Sequence, residues 1–232
     1  MRRGLAGFLA IAALAAAAHA AVPPASRIRA AAAERDRAAG RAETLSLQVT
    51  LRFEGADAAA TGTLLTSPLG ASRLELLSAS GFIERQLLRG SARSASRDGE
   101  PAPDARPFLP PLYLLQAPTG ESLAAWLLAL GVRVEEVALG HEGSRDCYVL
   151  GGRAPGGAAA WIDLETLDLV RIDLTGGIRY RLGPIRSFAG VLLPEWIEVT
   201  APGDPVVRLE VTGASRAAAG PEAFAPEWLG RR

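Results

Sequence analysis

Residues able to do acid–base, nucleophilic or metal chemistry are scarce in this sequence. Beyond position 20 there is one histidine, His141, and in the whole chain one cysteine, Cys147. A thiolate activated by imidazole needs both side chains on adjoining strands facing one cavity, and nothing in the spacing asks for that. Cys147 sits in the run Cys147-Tyr148-Val149-Leu150 and reads as a buried, inert thiol without a disulfide partner. His141 lies in Gly140-His141-Glu142-Gly143, which reads as a surface turn. A zinc site would have to be completed by carboxylates alone. Acids do occur in pairs, at Glu135-Glu136, Asp163/Glu165 and Asp168/Asp173. They fall on polar strand faces or in turns, whereas glycoside hydrolysis needs two carboxyls converging in a cleft. Gly151-Gly152 and Gly156-Gly157 flank Pro155 without the strand-then-helix setting of a phosphate-binding loop. The expectation is a non-enzyme: no catalytic residue, no metal and no cofactor.

Any function must then come from what the elements enclose. Trp161-Ile162-Asp163-Leu164 and Leu169-Val170-Arg171-Ile172-Asp173-Leu174 alternate apolar and polar residues across a short loop, the pattern of a hairpin. Period two predicts Ile162 and Leu164, and Val170, Ile172 and Leu174, facing inward, with Asp163, Arg171 and Asp173 solvated. The cleanest strand runs from Thr44 to Glu54, with Leu45, Leu47, Val49, Leu51 and Phe53 on one face. Strands are also expected near 60–66, 72–79, 82–89, 92–97, 132–139, 146–150, 178–186, 192–200 and 206–213. Together these read as an antiparallel sheet of about 10–12 short strands that coils into an incomplete barrel. Ser26 to Gly40 reads as a helix with Ser26 as N-cap. Pro110 to Leu115 reads as a short helix. A longer one follows from Thr119 as N-cap, with the stripe Leu123, Trp126, Leu127 and Leu130 at i, i+3, i+4 and i+7. The tail after Ala214 is loop-like, with Phe224 and Trp228 as anchors.

The N-terminus reads as an export signal: Arg2-Arg3, an apolar run Gly7 to Ala18, and the small-x-small site Ala18-His19-Ala20. Cleavage after Ala20 leaves one domain, 21–232, with no cysteine at the cut and so no lipid anchor. The expectation is an exported, soluble protein, periplasmic if the source is a Gram-negative bacterium. With 25 basic residues, all arginine, against 25 acidic, the charges cancel, and no polyanion or nucleic-acid partner is indicated.

The order of signal, helix, strand block, two helices and second strand block now carries motifs. They are Cys147-Tyr148-Val149-Leu150-Gly151-Gly152, then Trp161-Ile162-Asp163-Leu164-Glu165-Thr166-Leu167, then Arg171, with Leu193-Pro194-Glu195-Trp196 later. This resembles the periplasmic lipoprotein carriers, the LolA/LolB-like proteins and their outer-membrane lipoprotein-sorting relatives, across most of the mature chain. The resemblance implies a mainly β fold with α: an incomplete antiparallel barrel under a helical lid, with an apolar cavity between. Ala21 after the cut sets the chain apart from the anchored acceptor type. The residues expected to line the cavity are Leu47, Val49, Leu51 and Phe53 on the sheet, and Leu112, Leu115, Leu123, Trp126, Leu127 and Leu130 on the lid. The expected cargo is the acyl chains of lipoproteins or of lipid, carried by a monomer that touches membranes only transiently. The alternative is an envelope-stress or regulatory sensor on the same fold that binds an envelope protein partner.

Overall fold

The computed structural model describes residues 22–54, 58–152 and 155–231. The predicted signal and its cleavage site lie outside them. Helix α1 (Ala25–Ala38) leads into β1 (Leu45–Phe53) and an up-and-down series. That series is β2 (Ala58–Ser67), β3 (Ala71–Ser78), β4 (Ile83–Arg89), β5 (Ala92–Arg97) and the two-residue β6 (Glu100–Pro101). A 3-10 turn at Leu112–Gln116 and helix α2 (Gly120–Ala129) interrupt the strands. They resume as β7 (Val137–Glu142), β8 (Arg145–Leu150), β9 (Ala159–Asp163), β10 (Leu169–Asp173) and β11 (Arg179–Leu182). The last are β12 (Ile185–Phe188), β13 (Val191–Pro194), β14 (Trp196–Thr200) and β15 (Val207–Arg216).

Among the described residues 13 strands form one curved antiparallel sheet, ordered β6-β5-β4-β3-β2-β1-β15-β14-β11-β10-β9-β8-β7. This is more than sequence alone predicts. The edges β6 and β7 do not meet, so the barrel is open. β1 lies next to the middle of this order, paired with β2 on one side and with β15, the middle strand, on the other. Its alternation does what period two requires, sealing Leu45, Leu47, Val49 and Leu51 inside at 2% exposure or less. Phe53 is half-buried at the strand's end.

Helix α1 begins two residues earlier than Ser26 as N-cap would set it. Pro24 holds the N-cap position without a side-chain hydrogen bond, and Gly40 ends the helix at φ +76 as expected. Thr119 caps α2 as predicted, its Oγ1 accepting from the Ser122 N–H at 3.1 Å. The helices cross closely at Gly120, where a Cβ would stand 2.8 Å from the Ala30 nitrogen. Gly120→Val is therefore expected to pry α2 from α1 and cost about 1–3 kcal/mol, read as a lowered urea midpoint.

The second block departs from expectation in four places. The strand expected over 132–139 begins only at Val137. Val132 and Val134 are buried instead, and the Arg29 Nη1 donates to the Val134 carbonyl at 2.6 Å. The run 178–186 breaks at Gly183-Pro184, and 192–200 breaks at Glu195. Proline cannot donate to a ladder, so β12 leaves the sheet and pairs with β13 alone. In the 161–174 hairpin the register shifts at Val170: Val170 and Ile172 are buried as expected, Leu169 joins Ile172 in the main core, and Leu174 packs against it partly buried. Leu164 is exposed, and Asp163 is buried: its Oδ1 accepts from the Glu165 and Thr166 N–H groups, both at 2.9 Å. The tail is pinned as predicted, with Phe224 and Trp228 buried and the Arg73 guanidinium 4.6 Å from the centre of the Trp228 ring.

Candidate ligand site beneath the helical lid

The sequence's two reactive residues are on opposite faces of the sheet. His141 pairs with Asp146, so Cys147, the next residue, points the other way. His141 is exposed and its Nδ1 lies 2.6 Å from the Asp146 carboxylate. The chain places it at the end of β7 rather than in the turn expected from its glycines. Cys147 is fully buried, and burial pushes its thiol up, away from the thiolate form.

Leu47, Val49 and Leu51 on the concave face meet Leu112 and Leu115 of the 3-10 turn and Leu123, Leu127 and Leu130 of the lid in one continuous core, each 8% exposed or less. Phe53 and Trp126 border this core half-buried. The Trp126 ring meets the Tyr113 ring edge-on, centroids 5.5 Å apart at 89°. The lid is packed down: between α1, α2 and β9–β10 lies a crevice of about 10 Å³, bordered by Leu114, Leu123, Leu127, Ile162 and Leu169.

Open apolar space lies at the far end of β1. A groove of about 320 Å³ is lined by Leu51, Phe53, Leu76, Phe82 and Phe108. Only Leu51 and Phe53 were expected there; Leu76, Phe82 and Phe108 are additions. Arginines stack on its rim, Arg97 at 5.3 Å from the Phe82 centroid and Arg106 at 5.8 Å from that of Phe53. Both are ion-paired, Arg97 to Glu84 at 3.3 Å and Arg106 to Asp204 at 3.1 Å. The chain entering the lid is fixed by Tyr180, whose Oη donates to the Pro107 carbonyl at 2.9 Å and accepts from Arg93 Nη2 at 2.8 Å. Burial raises the Tyr180 hydroxyl, with Arg93 opposing, so it stays a neutral donor.

A polar cluster that sequence reading missed closes the other end of the lid. Arg41 is fully buried, its Nη2 3.1 Å from Asp168 Oδ1 and 3.4 Å from Asp36 Oδ1. Arg35 Nε also reaches Asp168, at 3.3 Å. Asp168 is thus no solvated loop acid but a buried tie between the 161–174 hairpin and the end of α1. Gln116, at the end of the 3-10 turn, donates to the carbonyls of Arg41 at 3.2 Å and Glu43 at 2.6 Å. The signal in the sequence is spacing: Asp36 continues the buried row Ile28, Ala32 at i+4.

Asp36 is pushed up to about 7, chiefly by burial, with the Arg41 charge opposing it and Asp168 adding to it. The folded state then holds a proton that the unfolded chain, titrating near pH 4, releases. Stability from this group is present below about pH 4 and lost as pH rises through about 7. Relative to Asp36→Asn, the wild type is expected to lose up to about 1.4 kcal/mol per pH unit across that window. Urea unfolding of both proteins from pH 4 to 8 measures the difference.

Curved sheet, apolar concave face and helical lid define a lidded half-barrel. Among solved structures the chain is similar to a LolA superfamily protein from Nitrosomonas europaea, at 11% identity over 90% of this chain and 100% of that one, with a TM-score of 0.55. It is also similar to a DUF1329 family protein from Desulfovibrio piger (12% identity, 89% and 100% covered, TM-score 0.42). A further match is an outer membrane lipoprotein-sorting protein domain from Vibrio parahaemolyticus (11%, 87% and 97%, TM-score 0.40). No family model and no curated protein matches the sequence. The chain has a LolA-like fold.

Proposed function

We propose that this protein is an exported carrier that binds acyl chains, of lipoproteins or of free lipid, between its lid and its sheet. It is a non-enzymatic periplasmic monomer in this reading. The observation that supports it is the continuity of the concave apolar face with an open apolar groove at Leu51 and Phe53. An acyl chain entering there and displacing α2 removes apolar area from water at roughly 0.8 kcal/mol per CH2 buried. Fitting a chain requires the lid to lift, because the crevice beneath it is about 10 Å³. No helix among the described residues is long and apolar enough to cross a membrane.

The test is ligand-linked stability. A ligand bound only by the folded state at a hundredfold over its Kd adds about 2.7 kcal/mol. A palmitoylated peptide is expected to raise the urea midpoint accordingly, and its unmodified counterpart to leave it unchanged. Equal midpoints with both peptides, and no shift with palmitate either, would remove the carrier reading. A protein partner captured in fixed stoichiometry by the lipid-free chain would favour the sensor instead.

A further inference from the structure

Arg41 is fully buried, yet its Nε and Nη1 donors have no hydrogen-bond partner among the described residues. An unmatched buried donor is costly, more so on a charged group. Its neighbours do not make up the deficit. Asp168 is shared between Arg41 and Arg35, and the carboxyl of Asp36 is held partly protonated by burial near neutral pH. The charged groups facing this point, Arg35, Arg41, Asp36 and Asp168, thus sum to a net positive charge in a buried place.

Arg41 and Asp36 also border a cavity of about 40 Å³, shared with Arg37, Gln116 and Pro118. Asp36 borders the apolar crevice under the lid as well, beside Leu123, Leu127 and Ile162. One small cationic space and one apolar seam therefore meet at a single residue. A ligand matching both would be an alkyl chain ending in a small anion. The polar space is small, and a carboxylate is the smallest anion an acyl chain can carry into it.

We propose that Arg41 is the anchor for a carboxylate at the end of the acyl ligand, so that the preferred cargo is a free fatty acid rather than an ester. The inference rests on the acyl-carrier reading and sharpens it. The chain lies in the seam opened when α2 lifts, and the carboxylate accepts from the guanidinium donors that no protein group satisfies. The anion also balances the cluster's surplus charge.

The test compares palmitate with methyl palmitate by displacement of a fluorescent acyl reporter from the full protein. The wild type is expected to favour the acid by roughly tenfold or more, the worth of one hydrogen bond to a charged group. Arg41→Met should lose that preference, with acid and ester bound alike, and Arg41→Lys should retain part of it. Equal affinity of the wild type for acid and ester overturns the anchor and leaves the carrier reading standing. Acid preference that survives in Arg41→Met also overturns it. If neither lipid displaces the reporter from the wild type, the carrier reading falls and takes the anchor with it. Should Arg41→Met fail to fold, the wild-type comparison and Arg41→Lys still decide.

Discussion

Truncating Leu127 to alanine is expected to lower the unfolding free energy by about 2–5 kcal/mol, a large share of the roughly 5–15 kcal/mol a domain has. Leu127 is completely buried where the lid faces the sheet, among Leu114, Leu123 and Ile162. Removing its branch leaves a void that the packed helices can only partly close. Trp126→Ala is expected to cost less than the full burial of a tryptophan would suggest. Its ring is half-exposed, touching Tyr113 on one side and lying over Gly70 on the other. The ligand response separates the two further. In Leu127→Ala the void sits where the acyl chain would lie, so palmitoylated peptide should recover part of the lost stability. Urea titrations of wild type and both variants, with and without that peptide, supply the comparison.

Asp168→Ala is expected to cost about 3 kcal/mol, because it strips the nearer carboxylate from a fully buried guanidinium. The loss is tempered by Asp36. With the Asp168 charge gone, one of the influences raising the Asp36 carboxyl disappears, and Asp36 ionises more readily beside Arg41. The variant should therefore show a weaker fall in stability between pH 4 and 7 than the wild type. A uniform loss at every pH would mean that Asp36 and Asp168 do not share Arg41. Denaturant unfolding across this range decides between the two.

The pattern of residues made the fold legible where period and environment agree. Thr44–Glu54 has five inward apolar residues in strict alternation, and its strand is as read, with water on one side and the core on the other. Thr119 and the stripe after it mark α2 because cap and period coincide. Boundaries failed where a distant group took over the backbone and where a local break divided an expected strand. Arg29 draws off the Val134 carbonyl and delays β7, and Gly183-Pro184 turns β12 out of the sheet to meet β13. The first depends on a residue far away in the chain, the second on a local break inside the run 178–186. The lid and sheet leucines could be named from periodicity, since burial follows from it. What periodicity does not contain is depth: a stripe that roofs a cavity and one that fills a core look alike until packing is seen. The Asp36–Arg41–Asp168 cluster was hidden for a related reason. Asp168 sits in a loop, where carboxylates are normally solvated, and only the return of the hairpin against α1 buries it.

The central claim, that the lidded half-barrel holds acyl chains, is tested most directly by extracting the natively purified full-length protein and weighing what it releases. The account predicts acyl lipid at near one chain or one lipid per protein, enriched in free fatty acid. It also predicts loss of that lipid in a variant with Leu51 and Phe53 both changed to aspartate that still folds by circular dichroism. Native protein that releases no lipid, and whose urea midpoint is unmoved by palmitate or by palmitoylated peptide, would contradict it.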